Sequence, residues 1–234
     1  MMVEPGNADE QMIRAVIKTR VIRPPKQALS TFGTTTIQYY LLTLPSYAMD
    51  AGLETVVRVG SVVADRPRIV TPYYLSRLEG FSGEATRYFQ KLVEEHGTNA
   101  PGIFYTCRNE LKNTEIVSGG LEETACKINE DIDRSGDQMS AVICGDDALW
   151  DVSVMKFIFE MTSASLAHNA AELGSRGLLS IREGIPAQTT LHIEQMFQRL
   201  HARTIDPREL QKELENWGLF EAYQDRFLAA FRRC

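Results

Sequence analysis

From Glu115 to Asp147 the chain reads EIVSGGLEETACKINEDIDRSGDQMSAVICGDD, and from Asp147 to Leu173 it continues as DALWDVSVMKFIFEMTSASLAHNAAEL. A short apolar run, EIV, leads into Gly119-Gly120. The segment LEETACKINEDI follows, with Leu121, Ala125, Ile128 and Ile132 recurring at helical spacing. SGDQ then turns the chain into the apolar strand MSAVIC, and GDD opens a second helix. Strand, helix, strand and helix within about sixty residues predict a βαβ crossover, right-handed, with a parallel strand pair.

The helix from Asp147 to Leu173 contains neither Pro nor Gly, and Gly174 stands where a C-terminal glycine belongs. At 100° per residue, Trp150, Val154, Phe157, Ile158, Met161, His168 and Glu172 share one side. Val152, Met155, Phe159, Leu166 and Ala170 form a second apolar flank. A narrow stripe of Ser153, Lys156, Glu160, Ser163, Ala167 and Ala171 is left for water or another backbone. A helix so apolar around its circumference belongs at the centre of a fold, covered on more than one side. Beyond Met161 its side chains shrink to Ser, Ala and Asn, which lets a neighbouring segment come close.

Upstream, residues 1–10 are polar and expected to fray. Met12 to Ile22 alternates apolar with basic residues and predicts a strand ended by Pro24-Pro25. Gln27 to Met49 contains no charged residue; its centre, TFGTTTIQYYLLTLP, has strand composition and a stop at Pro45. Such a strand is covered on both faces or lies in an interface. Glu54 to Val70 predicts one or two more strands, with a turn or bulge at Gly60. A helix is predicted over Ser82–His96, short strands over Ile103–Cys107 and Glu115–Val117, and a turn at RNELKN between them. Downstream of Gly174, SRGLLSIREGIP reads as a loop. Ala187–Ala202 follows as a helix, and Asp206-Pro207 caps another carrying Leu210, Leu214 and Trp217. Gly218 turns the chain into a last helix with Phe220, Tyr223, Phe227, Leu228 and Phe231.

The expected fold class is therefore α+β: an N-terminal, mainly antiparallel sheet, a βαβ-containing middle, a long central helix and a C-terminal helical hairpin. The regions 1–98, 99–174 and 175–234 carry these parts within one continuous globular unit, since no linker rich in Pro, Gly or Ser separates them.

Composition narrows the function classes. A net charge of −6 argues against general nucleic-acid binding, which needs surplus Lys and Arg. No run of 18 apolar residues offers a membrane span. The acidic start MMVEPGNADEQ lacks the basic and apolar parts of a signal peptide. Cys107, Cys126, Cys144 and Cys234 are scattered, as reduced cytoplasmic thiols are. A cytoplasmic location is expected.

Each candidate site has two readings. Arg14, Lys18, Arg20, Arg23 and Lys26 form a basic run that either binds an anionic ligand or acidic partner, or guards a strand edge. Gly119-Gly120, at a helix start, either cradles a phosphate or makes a tight turn. Asp146 and Asp147, with Asp151 a turn on, either hold Mg²⁺ or cap a helix. Cys144 at a helix N-terminus is either a nucleophile of lowered pKa or a buried thiol. His168 with Glu172 is either a general base with its carboxylate or a core histidine. His192 and His201 face opposite ways on one helix and share no metal. Tyr39, Tyr40, Tyr73 and Tyr74 suit an interface or ordinary sheet packing.

Two function classes follow. The first is a non-catalytic binding or assembly protein, a subunit or regulator acting through protein contacts or self-association, with no cofactor. The second is a metal-assisted enzyme on a small anionic or phosphorylated substrate, with Asp146 and Asp147 on Mg²⁺, His168 as base and Gly119-Gly120 on the phosphate. Convergence of those residues on one pocket separates the two.

Overall fold

The computed structural model describes residues 5–46, 54–71 and 102–231, together with residues 74, 91, 94, 95 and 97. In chain order its elements are α1 (Pro5–Lys18), β1 (Arg20–Arg23), β2 (Thr35–Thr43), β3 (Glu54–Ala64), β4 (Arg68–Val70), β5 (Gly102–Phe104), β6 (Cys107–Ser118), α2 (Leu121–Ser135), β7 (Ser140–Cys144), α3 (Trp150–Ser175), β8 (Ile181–Arg182), β9 (Ile185–Pro186), α4 (Ala187–His201), α5 (Pro207–Asn216) and α6 (Phe220–Phe231). The fold is α+β. Two compact units divide the chain: Met1–Arg66 with Tyr105–Asn169, and Pro67–Phe104 with Ala170–Cys234.

The first unit is built on a five-stranded sheet in the order β1-β7-β2-β3-β6. Its middle strand, β2, is the uncharged segment, and the alternation of a strand sends its side chains to two different cores. Ile37, Tyr39 and Leu41 meet Val154, Phe157 and Met161 of α3 on one face. Leu42 joins Val57, Val142 and Cys144 under Ala125 and Ile132 of α2 on the other. Every residue of β7 is buried, and each large apolar side chain so enclosed contributes roughly 1.5–3 kcal/mol relative to exposure. Gly60 sits where the β3–β6 register shifts. A Cβ there would lie 2.4 Å from the Tyr39 hydroxyl, so glycine is required by close approach.

The strand-helix-strand pattern forms as β6-α2-β7, but the crossover is longer than expected. β3 and β2 lie between β6 and β7, and the parallel partner of β7 is β2, in register from Gln38↔Ser140 to Leu42↔Cys144. β6 is instead held along its length by β3.

Four local expectations are corrected. Most of Met12–Ile22 is helix α1, starting at Pro5, and only Arg20–Arg23 forms a strand, antiparallel to β7. Pro5 suits a first helical turn. Met12, Ile13, Val16 and Ile17 alternate with basic residues yet also crowd one helical face, so the pattern serves both periods. RNELKN is no turn, because Cys107–Ser118 is one continuous strand. Its charged residues mark an exposed sheet edge, and turn and edge share that composition. Gly174 lies inside α3, and the left-handed glycine beyond its end is Gly177, φ 67°. The segment SRGLLSIREGIP contains the β8–β9 hairpin, turned by Glu183 (φ 53°) and Gly184 (φ 80°). The helix expected over Ser82–His96, apart from Lys91, Glu94 and Glu95, lies outside the described residues, as does Tyr73.

In the second unit, β4 pairs with β5, and α4, α5 and α6 enclose Ile193, Met196, Phe197, Leu210, Leu214 and Phe227. Asp206 caps α5 by accepting from the Arg208 amide at 2.8 Å, with Pro207 in the first turn. Gly218 (φ 65°) turns the chain into α6. Tyr74 packs on Trp217, ring centroids 4.5 Å apart.

Candidate functional site

Within the first unit, a cavity of about 290 Å³ opens where β2 and β7 end, the edge at which sheets with parallel strands tend to place ligands. Lys18, Arg20, Leu44, Gly120, Leu121, Glu122, Cys144 and Gly145 line it. α1 and β1 deliver the two cations from one short stretch of chain. α2 points its N-terminus there, with Gly120 at the N-cap and no side-chain cap on the first amides. Gly145 closes the floor: its amide donates to the Leu42 carbonyl at 3.0 Å, and a Cβ would meet the Ser153 hydroxyl at 2.4 Å.

Of the residues singled out in the sequence, Lys18, Arg20, Gly120 and Cys144 come together here. Arg14 does not: it pairs with Glu10 at 3.7 Å on the surface of α1. Gly119 (φ 130°) serves the turn, and its carbonyl accepts from the Thr55 hydroxyl at 2.9 Å. Arg23 is held by Asp133 at 2.6 Å.

Cys144 is only 4% exposed, and burial pushes its thiol up to about 11, against the lowering influence of Arg20 and with Glu122 adding to the rise. The lowered pKa expected of a helix N-terminus is thus reversed, because removal of the thiolate from water outweighs the nearby positive charge.

The two aspartates are engaged by protein. Asp146 accepts from the amides of Ala148 and Leu149 at 3.0 and 3.1 Å, and Lys18 approaches it at 3.2 Å. Asp147 pairs with Arg58 at 2.9 Å and accepts from the Thr43 hydroxyl at 2.8 Å and the Ser46 amide at 3.0 Å. Burial alone would raise the Asp147 pKa, but those hydrogen bonds and the Arg58 charge together hold it below the usual carboxylate range. Among the described residues, no group of three or more His, Cys, Asp or Glu is placed to hold a metal ion.

His168 is exposed rather than part of the core side of α3. It lies roughly 27 Å of helix axis from Trp150, at 1.5 Å per residue, so it reaches neither Asp146 nor the cavity. The buried stripe of α3 runs instead through Ser153, Val154, Phe157, Met161, Ser165 and Asn169. Ser153, on the stripe left for water or another backbone, is fully buried: it accepts from the Thr19 hydroxyl at 2.8 Å and the Asp146 amide at 3.2 Å. Arg58, Thr19 and Ser153 are the structural anchors that sequence reasoning missed. Arg58 had only a short β-branched run around it as a signal.

The second apolar flank of α3 is left uncovered. Met155 is 65% exposed, Phe159 70% and Leu166 45%. With Val152 and Thr162 they form a stripe of alternating three- and four-residue steps, the spacing of a helix seam.

No family model matches this chain, and no match to it is found among curated proteins or solved structures.

Proposed function

We propose that the protein is a non-catalytic assembly protein, a subunit or regulator that works through protein contacts, with the uncovered flank of α3 as its contact surface. The observation that carries this reading is the exposure of Met155 and Phe159 on a helix that buries Val154, Phe157 and Met161 in the core. Covering a large apolar side chain contributes roughly 1.5–3 kcal/mol, and contiguous exposed apolar patches mark interaction sites. The 3-4-3-4 spacing suits a partner helix better than a flat surface. Self-association is the simplest form of this assembly. The negative net charge speaks against nucleic acid as the partner, and no described helix is long and apolar enough to cross a membrane. The free thiols Cys107, Cys126 and Cys144 suit a reducing compartment such as the cytoplasm.

Sedimentation velocity on the purified chain tests the reading. An assembly heavier than the 26.3 kDa monomer is expected, and Met155→Asp with Phe159→Asp should dissociate it while leaving the circular dichroism unchanged. A wild-type chain that stays monomeric at every concentration would overturn the self-association, and an assembly untouched by the double substitution would overturn the α3 flank as its surface.

A further inference from the structure

Three independent features meet in the cavity at the ends of β2 and β7. Arg20 and Lys18 line one side; Lys18 is shared with Asp146, while Arg20 forms no ion pair with the described residues. On another side, Leu121, Glu122 and Glu123 begin α2. The first intrahelical bond runs from the Thr124 amide to the Gly120 carbonyl, so the three preceding amides have no acceptor within the helix. Gly120 has no side chain with which to cap them. The third feature is Cys144, a cavity-lining thiol more than nine-tenths buried that makes no hydrogen bond with the described residues.

We propose that this cavity binds a small tetrahedral oxyanion, either inorganic phosphate or the phosphate of a monoester. Helix amides and a guanidinium are the donors that suit such an ion. A protonated thiol adds a weak donor without adding negative charge. Burial keeps Cys144 in that form at neutral pH. Glu122 is the one lining acid, and it opposes an anion. That opposition makes the proposal testable with two substitutions of opposite effect.

Isothermal titration calorimetry with inorganic phosphate, and separately with methyl phosphate, reads binding at constant ionic strength. One site per chain is expected. Arg20→Gln should weaken it about tenfold or more, the loss of one charge-assisted hydrogen bond. Glu122→Gln should tighten it, and Arg134→Gln, at the far end of α2, should leave it unchanged. Binding of inorganic phosphate identifies the free ion as a sufficient ligand; binding of methyl phosphate alone identifies an organic phosphate, and both outcomes support the site. Amide shifts of Leu121 and Glu122 in ¹⁵N spectra of the unaltered protein give a second readout that needs no variant. Absence of saturable binding by both probes up to tens of millimolar, or binding indifferent to Arg20→Gln, would overturn the proposal.

Discussion

Asn169 reaches across from α3 and donates its side-chain amide to the carbonyl of Leu29 at 2.8 Å, while the Leu29 amide donates to the Ser165 hydroxyl one turn earlier at 3.0 Å. Both main-chain polar groups of a buried residue outside regular structure are thereby satisfied by two helix side chains. Asn169 also donates to the Thr31 hydroxyl at 2.7 Å and accepts from the Tyr105 hydroxyl at 2.7 Å. Its side chain is fully buried, so water cannot replace these partners without opening the structure.

Asn169→Ala should therefore cost more than a typical substitution. It leaves the buried Leu29 carbonyl without its donor and removes the contacts with Thr31 and the half-buried Tyr105 hydroxyl, and an unsatisfied buried group costs about 1–3 kcal/mol, with part recovered by relaxation. A loss of roughly 2–4 kcal/mol in urea unfolding is expected. Tyr105→Phe, which removes one bond and leaves Asn169 its two donor contacts, should cost about 1 kcal/mol. Equal losses for the two variants would show that the Leu29 contact contributes little.

The Arg58–Asp147 pair contributes to the acid limb of stability. Its side chains are 13% and 16% exposed, so the pair is largely shielded from solvent. Asp147 is held below its ordinary range in the folded protein. A carboxylate lowered in this way adds stability above its unfolded pKa of about 3.9 and loses it as pH falls through the folded value. Asp147→Asn should cost roughly 2–4 kcal/mol from pH 5 to 8, since Arg58 is left buried without its counter-ion. Below about pH 4 the variant and the parent should converge, because protonation removes the charge from the parent as well. Denaturant midpoints measured from pH 2.5 to 8 check this, and a stability difference undiminished at the acid end would remove Asp147 from the acid response.

The same helix shows what the sequence makes legible and what it hides. Strand β7 and helix α2 are readable because a short, mostly apolar run bounded by turn residues points to a strand and a 3.6-residue stripe to a helix. Trp150, Val154, Phe157 and Met161 are likewise correctly placed on the inner side of α3. Beyond Met161 the apolar signal ends, and extending the stripe carries it to His168 and Glu172. The buried positions are Ser165 and Asn169, chosen by hydrogen bonds to Leu29 and Thr31, and no periodicity of hydrophobicity reports those bonds. The small residues there did predict a close neighbour, and the segment at Leu29 is that neighbour. In the cavity, Lys18 and Arg20 come from a basic run, Gly120 from a strand-to-helix turn and Cys144 from the end of an apolar strand, and nothing in the sequence shows that these places coincide. Their meeting depends on the pairing of β1 with β7 and of β7 with β2, which is long-range information.

Cys144 gives a last test, one that separates a thiol in a cavity wall from a reactive one. The thiolate is the species that alkylates, so rate follows the fraction ionised. With its pKa pushed up to about 11 by burial, Cys144 carries only about a thousandth of its population as thiolate at pH 8, against roughly a quarter for an unperturbed thiol. Cys126, exposed on α2, provides the internal comparison. Iodoacetamide labelling followed by peptide mass spectrometry should therefore modify Cys126 first, with Cys144 slower by at least about a hundredfold. The Cys144 rate should keep rising with pH up to about 11. Arg20→Gln removes the positive charge that favours the thiolate and should slow Cys144 further at a given pH, without changing Cys126. Labelling of Cys144 as fast as Cys126 near neutral pH would mean that its sulfur is open to solvent and activated, and the catalytic reading of that residue would regain its footing.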